Sequence, residues 1–135
     1  MFGIQIKYLS FFFGLISILS FFNIIYSYYL NLYLNLDTYY LSLVVSIIIS
    51  IIFYNIKLPK NKFTIFNKIL TVFFGYIFIP LVLAIPFYFS IYNLTFLNSF
   101  FESISGFTST GFSIFENIKH IDQSLILWRS SIQWI

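Results

Sequence analysis

Apolar residues run through this chain in long blocks with few polar interruptions, and no block alternates with the period of two that marks a half-buried strand. The first block extends from about Tyr8 to Leu30. It is long enough to cross roughly 30 Å of hydrocarbon at about 1.5 Å per residue. A second block runs from about Thr38 to Tyr54. The joined region from Tyr8 to Ile56 is too long for one crossing, so the pattern predicts two antiparallel helices, with Asn31, Asn35 and Asp37 marking the turn. A third crossing is predicted from about Ile65 to Phe89 and contains Gly75, Pro80 and Pro86. Prolines free carbonyls and bend membrane helices, so Pro86 marks either the outer end of this helix or a hinge. Thr95 to Ser105 is too short to span and fits a re-entrant or interfacial helix, with Thr95 or Asn98 as its cap. A last helix starts near Gln123, and the sequence given reaches Ile135 after about three of its turns, well short of a crossing.

Composition sharpens this picture. Of 135 residues, 60% are hydrophobic and 8% charged, with a mean hydropathy of +0.94. That balance excludes a soluble domain, and the unalternated runs exclude a transmembrane barrel. The expectation is an all-α integral membrane protein in contact with lipid. It comprises two N-terminal transmembrane helices (1–56), a basic cytoplasmic loop (57–64) and a helix–re-entrant pore loop–helix unit (65–135) whose last helix is incomplete. Lys7 ahead of the first block also suits a signal peptide, but the apolar run is too long and no small-residue cleavage site follows. The absence of cysteine excludes a disulfide framework or thiolate metal site, and the single His120 excludes a multi-histidine site. A net charge of +3 resides at segment ends, which is a topology signal and not a nucleic-acid surface. Lys57, Lys60, Lys62 and Lys68 place their loop, and with it the N-terminus, in the cytoplasm. The Asn31–Asp37 turn then faces out.

The composition changes abruptly over Phe100 to Ser113, where small hydroxyl residues surround Gly106 and Gly111. Non-helical backbone at membrane depth must be buried in protein or line a watery cavity. One reading is a short helix ending near Gly106, followed by an extended Thr108-Ser109-Thr110-Gly111 segment whose carbonyls replace the hydration shell of a cation. Gly111 suits a positive φ, and the negative end of the short helix favours a cation. The other reading is a tight outer turn with a Ser/Thr cluster. Arg129 lies about 9 Å into the last helix, at a depth where an arginine costs about 2.5–3.5 kcal/mol. It either pairs with Glu102 and braces the loop, or snorkels to the outer interface while Glu102 faces an aqueous vestibule. Glu116, His120 and Asp122 are too sparse for a metal site and read as a solvated loop. Trp128 and Trp134 read as ordinary membrane-helix aromatics. Asn93-Leu94-Thr95 matches a glycosylation acceptor, a pattern frequent by chance. No nucleophile–base pair, phosphate loop or paired carboxylates point to an enzyme.

The run Phe100-Phe101-Glu102-Ser103-Ile104-Ser105-Gly106-Phe107-Thr108-Ser109-Thr110-Gly111 resembles the first pore loop of the TrkH/KtrB family of bacterial potassium uptake proteins. Leu127-Trp128-Arg129-Ser130-Ser131-Ile132-Gln133-Trp134-Ile135 resembles the start of that family's following helix, and Ile85-Pro86-Phe87 the end of the preceding one. The likeness covers about Ile65 to Ile135; the two earlier helices match in layout alone. The resemblance implies potassium as the transported ion, in the bacterial plasma membrane and without a cofactor. It implies four such units around one pore in the complete protein, an overall dimer and a cytosolic nucleotide-binding regulatory subunit of the TrkA/KtrA type. Carried over residue by residue, it implies ion contacts at Thr108, Ser109, Thr110 and Gly111, with Ser109 and Thr110 foremost as direct ligands. The family usually has Thr-Thr-Thr-Gly here, so Ser109 departs from the pattern. Thr64-Ile65-Phe66 stands where an acidic, glycine-containing lead-in is often found. The alternative is a small membrane subunit that transports nothing, or a nonfunctional truncated remnant.

Overall fold

A computed structural model describes residues 6–56, 65–115 and 120–135. The basic loop expected at 57–64 lies outside the described residues, as does Glu116. The described residues form helices and no strands: α1 (Ile6–Tyr29), α2 (Leu36–Asn55), α3 (Ile65–Leu83), α4 (Ile85–Tyr88), α5 (Phe96–Phe107) and α6 (Gln123–Ile132). Three stretches are long and apolar enough to cross a membrane: Lys7–Tyr29, Leu36–Asn55 and Ile65–Tyr88. The chain is an all-α, multi-pass membrane protein.

Helices α1 and α2 are antiparallel, and hydroxyls record the register. Ser10 and Ser50 each donate to the other's carbonyl at 2.9 Å. Further along, Ser20 Oγ donates to Ser42 Oγ at 3.2 Å, and the Tyr28 and Tyr40 hydroxyls meet at 3.1 Å. Small side chains let two membrane helices approach closely, and hydroxyls bond across the gap. α1 ends in a Schellman turn: Leu32 N–H donates to Ser27 O at 2.8 Å and Asn31 N–H to Tyr28 O at 3.3 Å. Asn31 takes the left-handed position at φ 55°, which its short amide side chain tolerates.

The third crossing departs from a single expected helix. Pro80 sits within α3, but the helix breaks at Ala84 and a four-residue helix, α4, follows with Pro86 in its first turn. Pro86 has no N–H to continue the ladder, which explains the break. Beside the break, the Leu83 carbonyl accepts the indole N–H of Trp128 at 3.2 Å. Trp128 is fully buried and its ring lies 6.0 Å from that of Tyr39, so it is a core anchor and not a lipid-facing aromatic. Around it, the core gathers Ile79, Leu83 and Phe87 from α3 and α4 with Leu125 and Ile132 from α6.

Candidate functional site

Helix α5 ends level with the middle of the third apolar span. Its first residue, Phe96, lies with its ring 6.4 Å from Tyr88, at the end of the third crossing. Its last, Phe107, lies 5.4 Å from Tyr76, at the middle of the Ile65–Tyr88 span. The two intervals correspond to about 17 and about 18 Å of helix at about 1.5 Å per residue, so α5 runs back alongside α4 and the C-terminal half of α3. Thr95 caps it, accepting the Asn98 N–H at 3.3 Å. The face turned inward is small and polar: Ser99, Glu102, Ser103 and Gly106 are buried. Leu97 and Phe101 are exposed. Gly106 allows close packing with α6, since a Cβ there would stand 3.1 Å from Ile132 Cγ2.

The loop after α5 is not simply extended. α5 ends one residue beyond Gly106, and Thr108-Ser109 form a second Schellman turn. Thr110 N–H donates to Ser105 O at 3.1 Å and Ser109 N–H to Gly106 O at 2.9 Å. Ser109 fills the left-handed position, at φ 54°, where glycine is usual. The hydroxyls fold back onto the helix end: Thr108 Oγ1 donates to Ile104 O at 2.8 Å and Thr110 Oγ1 to Ser105 O at 3.3 Å. Among the described residues, no group donates to the Thr108, Ser109 or Thr110 carbonyls, and all three residues are exposed. Gly111 takes the positive φ its residue type suggests, 79°, with open space where a Cβ would point.

Glu102 and Arg129 hold the returning limb. Glu102 is fully buried, and its Oε2 accepts Arg129 Nε–H at 2.9 Å. The other oxygen, Oε1, accepts the Ser113 hydroxyl at 2.8 Å and the Ile114 N–H. Arg129 Nη2 donates to the Gly111 carbonyl at 3.2 Å and the Phe112 carbonyl at 3.1 Å. Ser105 Oγ donates to the same Phe112 carbonyl. Of the two open readings for Arg129, the structure has the pair. Carboxylate and guanidinium thus bind opposite polarities of one short stretch, the Ser113 hydroxyl and Ile114 N–H as donors and the Gly111 and Phe112 carbonyls as acceptors. This fixes the loop beside the second turn of α6, roughly 9 Å below its start.

Asp122 is not in a solvated loop. It is buried, caps α6 through Ser124 N–H at 3.1 Å, and accepts Asn35 Nδ2–H at 2.8 Å. Asn35 is a turn residue of the α1–α2 hairpin whose burial sequence reasoning missed. Among the described residues, no cluster of histidine, cysteine and carboxylates could hold a metal.

No family model matches the chain, and no solved structure matches it. Curated relatives match over part of it. An uncharacterised cation transporter of Methanocaldococcus jannaschii is 38% identical over 52 residues, which are 38% of this chain and 11% of that protein. The Trk system potassium uptake protein TrkI of Halomonas elongata is 39% identical over 57 residues, which are 42% of this chain and 10% of that protein. The chain therefore spans a small part of the length of these relatives, and over that part it is similar to proteins named as cation transporters.

Proposed function

We propose that this chain supplies one filter segment of a potassium uptake pathway in a bacterial plasma membrane, with its N-terminus in the cytoplasm. The observation that carries the reading is that α5 ends level with the middle of the third apolar span and presents the Thr108, Ser109 and Thr110 carbonyls without donors among the described residues. Carbonyl oxygens can replace the hydration shell of a potassium ion without fixed charge. The partial negative charge at the end of α5 adds to their field. Ser109 and Thr110 are the foremost ligands in this reading, and Gly111 turns the chain so that its own carbonyl faces Arg129. The likeness to a potassium uptake protein and a second cation transporter supports the same function. One segment cannot surround an ion, so the pathway needs further segments in the complete, dimeric protein. A cytosolic nucleotide-binding subunit regulates it in this reading.

The test is growth at low potassium of a host that lacks its own uptake systems and carries the complete gene. Growth restored by the native protein and lost on Gly111→Asp is the expected result. No rescue, with the protein abundant in the membrane, would overturn the proposal and favour a subunit that transports nothing.

A further inference from the structure

We infer that the N-terminal hairpin latches α6 through Asn35 and Asp122, and that this latch sets the position of Arg129 and hence of the pore loop. Its filter half rests on the function proposed above; the mechanical half does not.

Four segments meet at a buried junction near the start of α6, and each hydrogen bond in it has an assignable direction. Asp122 Oδ2 accepts Asn35 Nδ2–H at 2.8 Å and the Ser124 hydroxyl at 2.8 Å, while Oδ1 accepts Ser124 N–H at 3.1 Å. Ser124 has one hydroxyl hydrogen, already committed, so across 2.9 Å Tyr39 must donate to it. Asn35 Oδ1 accepts the Ile91 N–H at 3.2 Å. Tyr92 accepts the Asp122 N–H at 2.6 Å and donates to His120 O at 3.3 Å. Asn35, Tyr39 and Ser124 are each at most 1% exposed.

Such a junction does not fit an ion site, because the Asp122 oxygens already face N–H and O–H donors that would repel a cation. It does fit a mechanical coupling. Among the described residues, Asn35 is the one side chain whose hydrogen bonds join the α1–α2 turn to both the α4–α5 connection and the cap of α6. Arg129 follows Asp122 by seven residues on one rigid helix, about 10 Å along its axis. A shift or rotation of α6 at its start therefore moves the guanidinium relative to Glu102 and the Gly111 and Phe112 carbonyls.

The test is hydrogen exchange of the complete protein in its membrane, read at the Ile114 amide that Glu102 accepts. Asn35→Asp sets two carboxylates against each other. We expect it to speed Ile114 exchange about tenfold, the effect of weakening a buried hydrogen-bonded pair. Exchanging the partners in Asn35→Asp/Asp122→Asn restores a donor–acceptor pair and is expected to return exchange toward the native rate. Tyr39→Phe removes one donor and serves if the charged variant does not accumulate; an increase of about threefold is expected. An unchanged Ile114 rate, with the Ser124 amide exchanging faster, would overturn the inference: the latch would open without reaching the loop. So would a double exchange variant no closer to native than Asn35→Asp alone. Potassium uptake is measured in parallel. Failed uptake by the native protein sinks the proposed function and leaves the exchange result standing.

Discussion

Ser109 holds a left-handed backbone conformation at the end of α5, and for an L-residue this costs about 1–2 kcal/mol. Ser109→Gly relieves that cost and is expected to raise the thermal midpoint, whereas β-branched Ser109→Val is expected to lower stability by about 1–2 kcal/mol. Glu102 is more demanding. Its oxygens face Arg129 on one side and the Ser113 hydroxyl and Ile114 N–H on the other. In Glu102→Gln, either orientation of the amide turns an N–H toward a donor. A loss of about 3 kcal/mol follows, as for other broken buried pairs. A double-mutant cycle with Arg129→Gln should show strong non-additivity; additive losses would remove the brace. The sequence exposes half of this arrangement. An arginine within a membrane helix demands a partner, and Glu102 is the carboxylate at matching depth. Nothing in Ser113 or Ile114 signals that the same carboxylate collects their donors, because that depends on the loop's return path. Asp122 was misread for a related reason: its partner Asn35 is 87 residues away.

Among the elements, α5 was legible from its length and from Thr95, since eleven or twelve residues cannot span a bilayer. The extended form expected after it was not found, because hydroxyl-rich sequence gives no sign that Ser109 will take the place of a capping glycine. The break at Ala84 was only half visible. Pro86 signals a bend, but the Trp128 indole that bonds beside it comes from a different helix. Packing of α5 on α6 gives a sharp prediction at Gly106. Ile132 is fully buried and has little room to yield to a Cβ at 3.1 Å. Gly106→Val is expected to cost about 1–3 kcal/mol through overpacking, read as a lowered thermal midpoint. Ile132→Ala in the same chain should return part of it.

For the molecule as a whole, three apolar spans and a hairpin that ends level with the middle of the third bear on which surfaces meet which aqueous phase. The chain has no cysteine, so single introduced thiols report topology without background. Tyr33→Cys, in the exposed α1–α2 turn, is expected to react with a membrane-impermeant reagent in intact cells, and Tyr54→Cys only after permeabilisation. The reverse pattern would invert the orientation and place the α5 loop on the cytoplasmic side. The three long apolar spans were plain from hydropathy; the split of the third into two helices, and how the helices lean on one another, were not, since the Asn35 junction and the Ser10–Ser50 exchange join residues far apart in sequence. The Glu102–Arg129 pair also governs how the protein is made. α5 is synthesised before α6, too short to integrate by itself, and it carries a carboxylate. The arginine that neutralises it emerges from the ribosome 27 residues later. Until then, the nascent hairpin has reason to stay at the interface or inside the insertion machinery. Its packing against α3 is therefore expected to be a late step in biogenesis, coupled to the arrival of α6.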